Sequence, residues 1–112
     1  NSDFGLLSIL GGSGVDNIAL NYISVLGRTN IRTLAGDDIL TIQNSSFSPS
    51  NVTADMGAGD DTVTLNSNTF QLGPPHQDWF DGGDSTPAGD SIFSSGNSGL
   101  NAGEIANFEF FF

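Results

Sequence analysis

A glycine-rich turn, an aspartate and a short alternating strand recur four times along this chain. The segments are "GGSGVDNIAL", "LAGDDILTI", "MGAGDDTVTL" and a longer, less regular "DGGDSTPAGDSIF". Their anchors are Asp16, Asp38, Asp61 and Asp90, and the first three stand 22 and 23 residues apart. The last interval is stretched by "LGPPHQD" and "STPA". The register extends past the anchors. Ile18, Leu40, Val63 and Ile92 share one position, Leu20, Ile42 and Leu65 the next inward one, and Val25, Phe47 and Phe70 a third. A repeat this short cannot bury its own apolar face, so successive repeats must stack on one another.

That constraint predicts an all-β chain, a right-handed parallel β-helix (β-solenoid) of about four to five coils with one Gly-Asp turn per coil. The coils are expected at roughly 6–30, 31–51, 52–78 and 79–104, closed by a terminal strand at 105–112, all in a single domain. Upstream of the turns, "LLSIL", "IRTL", "VTADM" and "WF" supply a second strand per coil. Leu40, Val63 and Phe47 should be interior, with Ser46 and Thr64 on the opposite parity. Asn21, Gln43 and Asn66 are candidates for a stacked amide ladder. An antiparallel sandwich also uses short strands at such spacing. Its hairpins, however, have no reason to repeat their turn sequence.

The acids are all aspartate except Glu104 and Glu109, there is no lysine, and the formal charge is −11. Such a balance disfavours nucleic acid and anionic membrane surfaces as partners. Aspartate suits turns and hard-cation sites because its short carboxylate stays near the backbone. The absence of cysteine removes disulfides and thiolate metal sites. Apolar runs are too short for a membrane span. The chain starts at Asn rather than Met, which suggests a processed or excised form.

The nonapeptide "GGSGVDNIA" resembles the calcium-binding repeat of repeat-in-toxin proteins, Gly-Gly-x-Gly-x-Asp-x-apolar-x, at every fixed position. "TLAGDDILT" and "MGAGDDTVT" resemble its second half, and "GGDSTPAGDSIF" looks like a version with an insertion. The resemblance implies calcium held between stacked turns by Asp16, Asp38, Asp61 and Asp90 and by turn carbonyls at Gly14, Gly36 and Gly59. Asp37 and Asp60 are then secondary ligands. The spacing departs from tandem nonapeptides: the motif returns once per coil, as in the wide β-helices of large bacterial surface proteins, so one edge alone would bind metal.

Elementary electrostatics points the same way. Stacked coils lie about 4.8 Å apart, and neighbouring like charges at that distance repel by about 1 kcal/mol in water and more near a protein surface. A divalent cation would turn that repulsion into attraction. The competing use of the same aspartates is to cap each turn through local backbone bonds, with no metal.

Three further features bear on function. The loop "GPPHQDWF" holds the only His and Trp; His76, Asp78 and Trp79 could form a sugar-binding or acid/base cluster. No lysine, and no arginine near those aspartates, is at hand to stabilise developing charge, so no enzymatic activity is expected. Asn44 and Asn51 open the sequons "NSS" and "NVT". Strand alternation in "IANFEFFF" puts Phe108, Phe110 and Phe112 on one face, a candidate self-assembly surface. Together these features predict an extracellular or cell-surface structural protein, calcium-supported, whose partners are copies of itself and secondarily glycans. The alternatives are a carbohydrate-active or carbohydrate-binding β-helix, and a calcium-dependent folding segment of a secreted enzyme or toxin.

Overall fold

The computed structural model describes residues 2–4, 7–47, 52–70, 79–83, 89–98, 105–106, 108 and 110–111. Among them there is no helix. The strands, in chain order, are β1 (Ser2–Phe4), β2 (Leu7–Leu10), β3 (Asn17–Asn21), β4 (Ile23–Val25), β5 (Thr29–Arg32), β6 (Ile39–Gln43) and β7 (Ser46–Phe47). They continue as β8 (Val52–Asp55), β9 (Thr62–Asn66), β10 (Thr69–Phe70), β11 (Trp79–Asp81), β12 (Ser91–Ser95), β13 (Ile105–Ala106) and β14 (Phe110–Phe111).

Every pairing among these strands is parallel. The first sheet runs β1-β4-β7-β10, the second β13-β11-β8-β5-β2, and the third β14-β12-β9-β6-β3. The repeats β2–β4, β5–β7 and β8–β10 each give one strand to each sheet, and equivalent strands of successive repeats lie side by side. The antiparallel sandwich is excluded, and the arrangement is that of stacked parallel sheets, as in a β-helix. Three strands per repeat, rather than two, is a difference from the sequence expectation. The extra one, β4, β7 or β10, is only two or three residues long, below what periodicity can register. Strand β5 also begins at Thr29, ahead of the expected coil boundary.

In the strands whose side chains are described, alternation turns one face inward. Ile18, Leu40, Val63, Ile92 and Phe111 are aligned across the third sheet, and Leu20, Ile42 and Leu65 form the neighbouring column. Leu40, Val63, Ile42 and Leu65 have no exposed surface, and Phe47 has 1%. In the first sheet Phe47 stacks on Phe70 with ring centroids 5.3 Å apart, and Phe70 meets Phe80 edge-on at 6.0 Å. Aromatic contacts of this kind add to the area burial that holds neighbouring repeats together.

The turns between the second and third sheets require glycine. Gly36 and Gly59 take φ of 118° and 125°. A Cβ on Gly36 would collide with the Gly14 carbonyl, and one on Gly59 with the Gly36 carbonyl. The turn backbones thus lie directly on one another.

Candidate functional site: an aspartate corner and an amide corner

The aspartate of each turn reaches across to the preceding repeat. Asp38 Oδ1 accepts the backbone N–H of Asp16 at 2.8 Å, Asp61 Oδ1 that of Asp38 at 2.8 Å, and Asp90 Oδ1 that of Asp61 at 2.6 Å. The backbone carbonyls of these residues meanwhile accept from the following repeat: Ile39 N–H bonds to Asp16, Thr62 N–H to Asp38 and Ser91 N–H to Asp61. A carboxylate thus completes the hydrogen-bond ladder where the turn leaves an N–H without a strand partner. Asp16, at the head of the column, also turns Oδ2 to its own Gly12 N–H at 2.9 Å.

The doublets have a division of labour. Asp37 Oδ1 accepts from Asp60 N–H at 2.9 Å and Asp60 Oδ1 from Gly89 N–H at 3.1 Å, both in the following repeat. In "GDD", then, the first carboxylate reaches forward and the second reaches back. Local capping within one turn, as at Asp16, also occurs outside the anchor column: Asp55 accepts from Gly57 N–H at 3.1 Å and Asp81 from Gly83 N–H at 2.8 Å.

Asp38, Asp61 and Asp90 are buried. The Oδ2 atoms of Asp38 and Asp61 have no hydrogen-bond donor and almost no contact with solvent. The nearby Thr33 hydroxyl donates to the Met56 carbonyl at 2.8 Å. Desolvation pushes the Asp38 pKa up, against the opposing effect of the Asp16 N–H. Asp61 is pushed up to about 7, first by desolvation and then by the charges of Asp90, Asp38 and Asp37.

The opposite corner, between the third and first sheets, poses the same problem and uses neutral groups. One residue makes the corner in each repeat, with positive φ at Tyr22, Asn44, Ser67 and Gly96. Just after it, Ser45 Oγ accepts from Ile23 N–H at 3.3 Å, Asn68 Oδ1 from Ser45 N–H at 3.0 Å, and Asn97 Oδ1 from Asn68 N–H at 2.9 Å. The amide nitrogens are also used: Asn68 Nδ2 donates to the Ile42 carbonyl at 2.8 Å and Asn97 Nδ2 to the Leu65 carbonyl at 2.8 Å. The stacked amide ladder is therefore at Asn68 and Asn97. At the positions expected for it, Asn21 Oδ1 accepts from Asn44 Nδ2 at 3.4 Å and Asn66 Oδ1 from Ser67 Oγ at 3.1 Å. The signal for the real ladder was present in the sequence, since Ser45, Asn68 and Asn97 hold one offset from their anchors.

No family model, curated protein sequence or solved structure matches this chain. The metal question rests on geometry. Asp38 and Asp61 each offer a buried oxygen that a cation or a proton would satisfy. The Gly14 and Gly36 carbonyls, in contrast, are pressed against the glycine of the following turn. Among the described residues, no three His, Cys, Asp or Glu side chains are grouped as a metal cage.

The other candidates are scattered. His76, Asp78, Asn51 and Phe112 lie outside the described residues. Trp79 is 43% exposed on the outer face of β11, with Phe80 buried beneath it. Asn44 is exposed at its corner. Phe108 belongs to the buried core and precedes the final strand. In the final strand Phe110 is in register with Ser91 and Phe111 with Ile92.

Proposed function

We propose that this chain is an extracellular structural or surface-assembly module, a right-handed β-solenoid of about four to five coils that stacks end to end into a fibre or layer. The observation that carries this is the state of the first repeat. Its inward residues Leu7, Ile9, Ile18, Leu20 and Ile23 are only partly buried, whereas the same columns one repeat later are closed. Around that open section Leu10, Val15, Tyr22 and Leu26 are also exposed. Among the described residues no strand follows β2 or β3 on that side, and an apolar cross-section of this kind is a surface on which another β-coil can add. Sedimentation and electron microscopy over rising concentration test it. Growing end-to-end particles are expected; a protein that stays monomeric at high concentration, with calcium present, overturns it.

Calcium is the second part of the proposal. The Oδ2 atoms of Asp38 and Asp61 would hold it, supplying charge neutralisation between stacked carboxylates. A ligand that prefers the folded state raises stability by mass action, so chelation should lower the melting temperature. Unchanged melting in excess chelator, with no metal by elemental analysis, removes calcium and leaves the backbone-capping role. The carbohydrate-binding alternative has one observation in its favour, the exposed Trp79 indole, because sugars stack on aromatic faces; a glycan array tests it.

A further inference from the structure

The outer face of the second sheet brings together groups that are far apart in the chain. Register puts Asn30, Thr53 and Trp79 in one row, and Arg32, Asp55 and Asp81 in the row beside it. Trp79 and Arg32 are both exposed. Arg32 is one of only two cations in a chain of formal charge −11. Asp55 stands next to it and Asp81 beyond, each carboxylate pinned by its turn bond to Gly57 or Gly83 N–H. Where this row meets the turn, a depression of about 60 Å³ is lined by Arg32, Leu34, Asp55 and Gly57. From the spacings along and between parallel strands, Trp79 is roughly 8 Å from Asp55 and roughly 12 Å from Arg32.

Deepening the carbohydrate-binding reading, on which it rests, we infer that this face binds a neutral, extended sugar chain. One ring stacks on the Trp79 indole, and hydroxyls further along the chain are held between the Arg32 guanidinium and the Asp55 carboxylate. The depression has room for a water or a hydroxymethyl group, far short of the roughly 300–1,000 Å³ that encloses a whole small molecule. The ligand therefore lies across the face, and the distance from indole to guanidinium calls for more than one ring. A guanidinium can only donate hydrogen bonds and a carboxylate can only accept them. Hydroxyls do both, so a polyol satisfies the pair without bringing charge to it. An anionic chain would meet Asp55, Asp81 and the field of the whole protein; a cationic one would meet Arg32. Tryptophan and arginine are the side chains that most often carry binding energy, and carboxylates already pinned by the turns reduce the cost of ordering.

Trp79 is the only tryptophan, so its emission reports on this face directly. The full chain is titrated with cellohexaose, with oligogalacturonate and with hexalysine, and the affinities are confirmed by calorimetry. Cellohexaose is expected to shift the emission, with an affinity that added salt leaves unchanged because the ligand carries no charge to screen. Arg32→Gln and Asp55→Asn should each weaken it about tenfold, as for losing a hydrogen bond to a charged group. Phe93→Ala, which removes an exposed aromatic from the third sheet, should leave it unchanged. Circular dichroism verifies that the variants keep the parent's sheet signal. If Arg32→Gln does not, Arg32→Lys decides, since it keeps the charge and loses the planar fork. Cellohexaose binding that Trp79→Ala abolishes but the Arg32 and Asp55 variants leave intact overturns the two-part site and keeps the carbohydrate reading. No response to either sugar overturns both. Tighter binding of oligogalacturonate overturns the neutral class, and binding of hexalysine alone makes the face a site for a cationic peptide and overturns the proposal.

Discussion

The aspartate corner and the amide corner solve one backbone problem with two chemistries. In both, a side-chain oxygen accepts an N–H from the preceding repeat. Asparagine then uses its second atom as well, donating Asn68 Nδ2 to the Ile42 carbonyl. Aspartate leaves Asp38 Oδ2 and Asp61 Oδ2 buried without a donor. If only ladder completion mattered, asparagine would be the better residue at both corners, since an unmet buried polar atom costs about 1–3 kcal/mol. The aspartate corner is thus the place where stability can respond to a proton or a cation, and the amide corner is the insensitive reference.

The largest effect should come from making the reference corner acidic. Asn68→Asp removes the donors to the Ile42 carbonyl and Asn97 Oδ1 and sets a carboxylate against both acceptors. The expected loss is roughly 3–5 kcal/mol at pH 8, as for breaking a buried polar pair, read by denaturant unfolding. Part of it should return at pH 5, where a protonated carboxyl again has a hydrogen to donate. A loss below about 1 kcal/mol would mean that the two corners are not distinguished by donor satisfaction.

Next in size is the pH response of Asp61. Its folded pKa, about 7, is above the ordinary aspartate value of 3.8, so between those limits the folded chain holds more protons than the unfolded one. Stability must then fall as pH rises through that window; the penalty is absent below about pH 4 and complete above about pH 7. Its size is on the order of 2 kcal/mol, the full shift being discounted for solvent screening at the turn. Asp38 is shifted in the same direction and adds to the slope. Asp61→Asn should flatten the pH profile and raise stability at pH 8. If instead it lowers stability at pH 8 and abolishes a calcium response, the carboxylate is needed as a ligand.

Much of this architecture was legible because its cause is periodic. Leu40, Val63 and Phe47 recur at fixed offsets and are interior, as stacking demands. Gly36 and Gly59 were legible as turn residues, though the reason is closer than a preference for positive φ: the carbonyl of the previous turn occupies the space of a Cβ. The aspartates were recognisable as a column, but not the direction in which each reaches. Neither Asp37 nor Asp38 carries a mark in the sequence that one carboxylate turns forward and the other back. Phe108 belongs to the core, a placement that strand alternation alone does not mark.

The smallest expected effect tests whether the first repeat is an end or a joint. Asp16 occupies the same column as Asp38 and Asp61, yet no described repeat precedes it, and its Oδ2 bonds within its own turn to Gly12 N–H. Asp16→Asn keeps an acceptor at that place, so in dilute, unassembled protein it should change stability by less than about 0.5 kcal/mol, as for other surface sites. The pH slope contributed by Asp61 should persist. Once a second copy covers β2 and β3, Asp16 becomes an interior member of its column, with Asp38 on one side. The substitution should then favour assembly at pH 8, where it removes a charge from the joint, and matter little at pH 5. A critical concentration unchanged by Asp16→Asn at both pH values would show that the aspartate columns of neighbouring copies do not come into line.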